Sequence, residues 1–305
     1  MEAGPRAHAA HMSREAWVLF AAMSVIWGMP YLFIKIAVEQ LSPSALVLAR
    51  TALGAVVLLP LAVRSAALRP ALAQWRLVLA FAVLEMAVPW LLLTHAEERI
   101  ASGLAGLLIA TVPLVGAVVT RLLGDRAALS RIRVVGIVTG LAGVAALVGI
   151  DSAGGHLDLL SVAELFVVAV GYATAPILVD RRLQDVPTLG VIALSLALVA
   201  LIYLPFGVPA LVSTGAWTSR TSLSVLVLGL VCTALAFVLF FRLIAAAGPV
   251  RATVITFLNP AVAVLLGLVV LDEPLTVGVM VGFPLVLAGS WLATRPTRPV
   301  PAQAG

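Results

Sequence analysis

Long apolar runs separated by short polar links fill the chain from Trp17 to Ala293. Each run holds about 20 residues, the length an α-helix needs to cross roughly 30 Å of hydrocarbon. In order, they predict helices over Trp17–Val38, Ala45–Val63, Trp75–Thr94, Ala101–Leu123 and Ile132–Ile150. A second set follows over Leu160–Val179, Gly190–Gly207, Leu223–Ile244, Ala252–Leu271 and Val277–Ala293. The expected fold class is all-α and integral to a membrane, with ten transmembrane helices. The link at Ala245–Val250 is short, and fusing the runs beside it would leave nine.

Most charged residues gather at the links. With the N-terminus inside, the inner links carry Arg6, Arg14, Arg64, Arg69, Arg76, Arg121, Arg126, Arg131, Arg133, Arg181, Arg182, Arg242, Arg251, Arg295 and Arg298. The outer links carry only Arg99 and Arg220. Fifteen against two selects cytoplasmic termini by the positive-inside rule, and a multi-pass protein of the cell membrane. An even number of spans agrees. The first run is too long for a signal-peptide core and lacks a small-x-small cleavage site, so it reads as a retained span. Residues 1–12 and 296–305 read as cytoplasmic tails.

The landmarks inside the runs recur. A shift of 147 residues lays Pro113 on Pro260 and Asp125 on Asp272. With one residue deleted, Gly136 and Gly143 then meet Gly282 and Gly289, and a shift of 144 lays Pro43 on Pro187. Apolar helices resemble one another in general, but proline, acid and glycine landmarks near one offset argue for a true repeat. Residues 13–150 and 151–295 are thus expected to be two five-helix repeats. Five is odd, so the second repeat enters the bilayer from the opposite face, as in alternating-access carriers with a midplane site.

Composition sharpens the class. Hydrophobic residues make up 62% of the 305 and charged residues 11%, against about 25% charged in soluble domains. The net charge of +5 is spread over helix ends rather than gathered in a patch, which argues against nucleic acid as a partner. The single cysteine, Cys232, lies in an apolar run and permits no disulfide framework or CxxC site. His8, His11, His95 and His156 all fall outside the spans, and GxSG, Walker A and GxGxxG patterns are absent. The chain is therefore expected to be no enzyme, to use no cofactor and to hold no metal.

The ordered landmarks carry a family resemblance. Trp27-Gly28, Arg50, and Pro113 followed by Gly124-Asp125-Arg126 resemble the first EamA domain of the drug/metabolite transporter superfamily. Gly248-Pro249-Val250-Arg251-Ala252, Asn259-Pro260-Ala261 and Leu271-Asp272-Glu273-Pro274-Leu275 resemble the second. A more local match runs from Pro89-Trp90 through Ala96-Glu97-Glu98 to Ser102-Gly103-Leu104. Two departures stand out: Asp125-Arg126 replaces the usual glutamate before the fifth span, and Gly171-Tyr172 stands where relatives often carry Trp-Ala. The resemblance implies a ten-helix carrier of metabolites, often an exporter of amino acids, and leaves the substrate open.

Charges within spans are costly and mark candidate sites. Glu85, mid-span, reads as a proton-coupling or amine-binding group, or as a structural partner of Arg50. Arg50 can snorkel outward or hold a carboxylate in bidentate geometry. Lys35 stands one turn before Glu39, and an interfacial pair explains it. Glu164, near the outer start of its span, reads as solvated. Pro30, Pro89, Pro113, Pro176 and Pro260 each remove a backbone donor. In lipid the freed carbonyls must face protein or a wet cavity. Pro113 and Pro260 are expected to flank a central cavity, with Asn259 beside it and Trp27, Gly28, Trp90 and Tyr172 along its wall. Trp17, Trp75 and Trp291 read as interfacial belt residues.

The substrate-binding candidates are thus Trp27, Gly28, Arg50, Glu85, Trp90, Pro113, Tyr172, Asn259 and Pro260. The spacings Gly136-xxx-Gly140 and Gly278-xxx-Gly282 suit either internal packing or a homodimer seam. The expected function is secondary transport, as an exporter of small metabolites such as amino acids, by alternating access. The alternatives are a channel, which would want a polar ring, and a non-transporting scaffold.

Overall fold

The structure is a computed structural model that describes residues 13–124, 131–153, 158–248, 252 and 254–294. The sequence landmarks Asp125, Arg126, Pro249, Val250 and Arg251 lie outside the described residues. Among the described residues, ten apolar helices build the molecule, eight of them long enough to cross a membrane and two shorter. The first repeat holds α1 Arg14–Ala37, α2 Pro43–Arg64, α3 Trp75–Glu97, α4 Ser102–Leu122 and α5 Arg131–Ala153. The second holds α6 Leu159–Arg182, α7 Thr188–Thr214, α8 Ser219–Ala247, α9 Ile255–Val270 and α10 Val277–Ala293. A short helix, Leu68–Ala73, lies between α2 and α3. Among the described residues there is no β-strand.

Side chains start the helices where the polar links predict. Ser13, Ser42, Asp158, Thr218 and Thr276 are N-caps, each accepting a bond from the backbone N–H three residues on, which satisfies one of the free donors at a helix start. The outer surface is apolar: Val56, Leu122, Val212 and Val269 are each at least 70% exposed. Lipid tails cover such a surface without penalty, so the protein is a multi-pass membrane protein. One expectation fails in detail. α7 does not stop at Gly207 but runs through Pro205 and Pro209 to Thr214. A bilayer offers unpaired backbone no water, so the helix continues past its prolines.

The helices are broken in characteristic places. α1 is interrupted at Trp27–Met29, before Pro30, and α4 at Ala110–Thr111, before Pro113. α3 and α8 each contain a π-helical stretch, Val83–Ala87 and Val227–Leu235, at corresponding places in the two repeats. The packing obeys the same internal symmetry. α2 faces its counterpart α7, and α5 its counterpart α10. The pairing of α3 with α6 is mirrored by α8 with α1, and that of α4 with α6 by α9 with α1. The ten helices are therefore two inverted five-helix repeats. We call the face where α1 begins terminal and the opposite face distal.

The glycine spacings are used inside the chain. α5 and α10 lie so close that a Cβ on Gly136 would stand 2.5 Å from Ala293 N, and one on Gly289 would stand 2.5 Å from Gly140 Cα. Gly143 meets Val286 N at 2.8 Å on the same terms. Glycine is what allows these two backbones to touch. Gly289→Val should therefore lower stability by about 1–3 kcal/mol through forced separation of the pair. Gly149→Ala on the exposed side of α5, with nothing within 4 Å of the new methyl, should be neutral or gain up to about 1 kcal/mol. Thermal unfolding of the two variants in detergent checks the contrast.

Candidate functional site

Arg50 is the centre of a buried polar string that crosses both repeats. It stands on α2, buried, and its Nε donates to Thr233 Oγ1 on α8 at 3.0 Å. Its guanidinium lies 3.8 Å from the centre of the Trp90 ring on α3, a cation–π contact that gains strength away from water. The π turn of α8 sets the Thr233 end: its hydroxyl donates to Leu228 O, five residues back, at 2.7 Å, while accepting from Arg50. The two terminal nitrogens of Arg50 have no hydrogen-bond partner among the described residues, so a planar pair of donors stays available.

The string continues through Trp90 to Tyr172 on α6, and Tyr172 lies within electrostatic reach of Glu85. Glu85 belongs to the π stretch of α3, and its Oε2 is buried without a partner among the described residues. π turns displace a side chain from its helical register and are frequent at functional sites. The alternative reading of Glu85 as a structural partner of Arg50 is not met, as no such ion pair forms among the described residues. Arg50 turns to Thr233 and Trp90 instead, and Cys232, Tyr172, Tyr31 and Glu97 lie within its electrostatic reach.

Of the nine sequence candidates, Arg50, Glu85, Trp90 and Tyr172 are brought together. The others sit at the helix breaks. Trp27 packs on Phe237 and Phe240 of α8, with ring centres 6.0 and 4.6 Å away. Gly28 lets α1 approach α9, since a Cβ there would lie 2.5 Å from Val262 Cβ. At this break Gly28 N turns to Val25 O, which leaves Ser24 O unclaimed by the helix. Asn259 supplies the missing donor: with its amide nitrogen facing the carbonyls, it donates to Ser24 O at 3.1 Å and Ile255 O at 2.9 Å. Pro260 is buried in α9 beside it.

The break before Pro113 is healed in the same way. Leu114 N bonds Thr111 O rather than Ala110 O, and Ser290 of α10 donates its hydroxyl to Ala110 O at 2.7 Å. Thr233, Ser290 and Tyr203, whose hydroxyl reaches Ala87 O at 2.9 Å, escaped the sequence reading. Threonine, serine and tyrosine inside apolar runs carry no periodic signal that separates a partner from a bystander.

Hydrogen bonds and ion pairs cross between the repeats at the distal face. Gln40 Oε1 accepts from Thr218 N, Thr218 Oγ1 and Thr221 Oγ1 at 3.0, 3.0 and 2.6 Å. Glu273 accepts from Ser102 N, Ser102 Oγ and Gly103 N at 2.7, 3.0 and 3.1 Å. It thereby places a carboxylate on the N-terminus of α4, where the helix dipole favours negative charge. Arg99 bonds Asp158 and Glu164 at 2.6 Å each, and His95 Nδ1 meets Glu164 at 2.6 Å. Two expectations are corrected here. Glu164 is buried and ion-paired, not solvated. Lys35 does not pair with Glu39; its Nζ donates to Glu97 O and Ile100 O at 2.6 and 2.8 Å, because the last carbonyls of a helix lack partners of their own.

On the terminal face, Leu61, Arg64, Ser65, Leu189, Val238 and Phe241 border an open cavity of about 500 Å³ between α2, α7 and α8. Arg242 and Glu15 form an exposed ion pair there at 2.7 Å.

Two inverted repeats with broken helices, lined at their interface by buried charge, define the class of a membrane transporter. The EamA-like transporter family matches the chain twice, over residues 15–149 and 160–295, and the chain belongs to that family. The uncharacterized transporter YvbV of Bacillus subtilis is 24% identical over 283 residues, covering 92% of this chain and 92% of that protein. An uncharacterized transporter of Archaeoglobus fulgidus is also 24% identical over 283 residues, covering 92% of this chain and 98% of its own. One crystal structure shares the fold with a TM-score of 0.62 at 20% identity, covering 92% of this chain and 96% of that one.

Two outcomes follow for the site. Asn259→Ala strips Ser24 O of its donor in a dry environment and should cost about 1–3 kcal/mol, read as a fall in unfolding temperature. Bonds from Ser161 and Arg99 hold the Asp158 carboxyl down to about 2. Its folded value lies below its unfolded one, so its contribution is complete above the ordinary aspartate range and is lost as pH falls through about 2. The unfolding-temperature gap between wild type and Asp158→Asn should be flat around neutrality and close only in that acid window. A gap closing near neutrality would implicate an imidazole instead.

Proposed function

We propose that this protein is a secondary carrier that exports small amino-acid-like metabolites by alternating access. Its binding site is the string of Arg50, Trp90, Tyr172 and Glu85. The observation that carries this reading is the buried Arg50 side chain where α2, α3 and α8 meet, bonded through Nε alone among the described residues. A guanidinium fork suits a carboxylate in bidentate geometry, and a desolvated carboxylate such as Glu85 suits an amine. Trp90 and Tyr172 connect the two groups and would offer aromatic faces to a side chain.

Residues 13–150 and 151–295 are the two units that move. The breaks at Trp27-Gly28 and at Pro113, with Asn259 and Pro260 packed against the first, serve as the hinges. The hydrogen bonds and ion pairs that cross the distal face support a state closed to that side. Arginine bias supports a cell-membrane location with both termini, and the tails 1–12 and 296–305, in the cytoplasm. With no ATP-binding motif in the chain, the drive is a solute or ion gradient.

Purified protein in liposomes, offered a panel of radiolabelled amino acids, tests the reading. Saturable uptake with counterflow is expected; linear flux would mark a channel, and no flux for any amino acid would overturn the assignment. Arg50→Lys should weaken transport of carboxylated substrates by about tenfold or more, because an ammonium replaces the fork with a point charge. Amine-only solutes should be less affected. An equal loss for both would place Arg50 outside recognition.

A further inference from the structure

Glu97, the last residue of α3, lies fully buried beneath the distal latch, and neither carboxylate oxygen has a hydrogen-bond partner among the described residues. It is flanked by cations that are engaged elsewhere. Lys35 of α1 gives its ammonium to the main-chain oxygens of Glu97 and Ile100, and no cation approaches the carboxylate within 4 Å among the described residues. Arg50 of α2 is held by Thr233 and Trp90. The other titratable groups that face Glu97 are Tyr31 of α1, Tyr172 of α6 and Glu273 of the α9–α10 link. Glu273 is saturated by three donors on α4, and its negative charge disfavours a second anion nearby. Glu164 and His95 are turned to each other and, in Glu164, to Arg99.

An ionised carboxylate with no donor and no salt bridge in a buried site is strongly disfavoured, whereas the neutral acid is tolerated far better. The geometry points to Glu97 as the proton-carrying site of this carrier: it holds a proton while the distal face is shut and releases it to water when that face opens. Closure of the distal face therefore takes up one proton per chain, and the proton lost on opening passes to distal water. The inference rests on the carrier reading for its purpose but is observable without any substrate. It also separates two buried acids by role, with Glu85 facing substrate and Glu97 counting protons.

By linkage, the open-to-closed ratio of the distal face changes by up to about tenfold per pH unit where closed Glu97 is protonated and open Glu97 is not. The test is a distance measurement by electron paramagnetic resonance. Spin labels go on Glu39→Cys at the end of α1 and Ser213→Cys at the end of α7, in a Cys232→Ala background in phosphatidylethanolamine–phosphatidylglycerol vesicles. Raising the pH from about 5 to about 9 should move the wild-type distribution toward longer separations. Glu97→Gln, an uncharged isostere, should hold the short distribution throughout. An unchanged pH response in Glu97→Gln, or no response in the wild-type background, overturns the inference. If Glu97→Gln does not fold, Glu97→Asp decides: a displaced midpoint supports the role, and an unmoved midpoint overturns it. Failed counterflow with this pH-linked movement intact would instead sink the carrier reading and leave the proton site standing.

Discussion

Backbone carbonyls in hydrocarbon must find donors, and this constraint organises the whole molecule. A carrier fold needs broken helices, since irregular backbone is what lets a helix bend around a site. Every break, however, frees polar groups that no water can reach. Here the breaks of the first repeat are closed by side chains of the second: Asn259 on Ser24 O, Ser290 on Ala110 O, and Tyr203 on Ala87 O. The two repeats are thus joined at the very points where the helices are weakest.

The same economy explains the charges. Lys35 closes the C-terminal end of α3, and Glu273 closes the N-terminal end of α4. Between them these two residues satisfy the backbone on both sides of the α3–α4 turn at the distal face. Lys35 stays within electrostatic reach of the Glu97 carboxylate but forms no salt bridge with it among the described residues, and Glu273 adds a like charge. Arg50 is likewise held by one hydroxyl and one aromatic face, which fixes the guanidinium without consuming its outer nitrogens. Lys35 and Arg50 are thus held by main chain, a hydroxyl and π electrons, whereas Glu164 is held by opposite charge.

The repeat symmetry was legible because it lives in features that sequence records directly. Proline offsets, glycine spacings and alternating arginine links need no knowledge of packing. The π stretches in α3 and α8 confirm the equivalence of the two halves, but nothing in either run announces them. A departure from the family pattern was also legible. Gly171-Tyr172 stands where relatives often carry Trp-Ala, and in the structure Tyr172 lies beside Trp90 while Trp27 packs on phenylalanines of α8.

By itself, then, the sequence determined the spans, their order and the inverted duplication. Hydropathy, charge bias and landmark spacing are properties of a segment and survive without its neighbours. Tertiary structure alone decided which buried polar groups meet. Lys35 was expected at Glu39, four residues along its own helix, and lies instead on carbonyls more than sixty residues away. Glu97 and Glu98 were indistinguishable as a pair of acids at a span's end. One is sealed without a partner and the other is partly exposed near His95. That difference is set by how helices from opposite repeats pack across the distal face, and no local pattern encodes it.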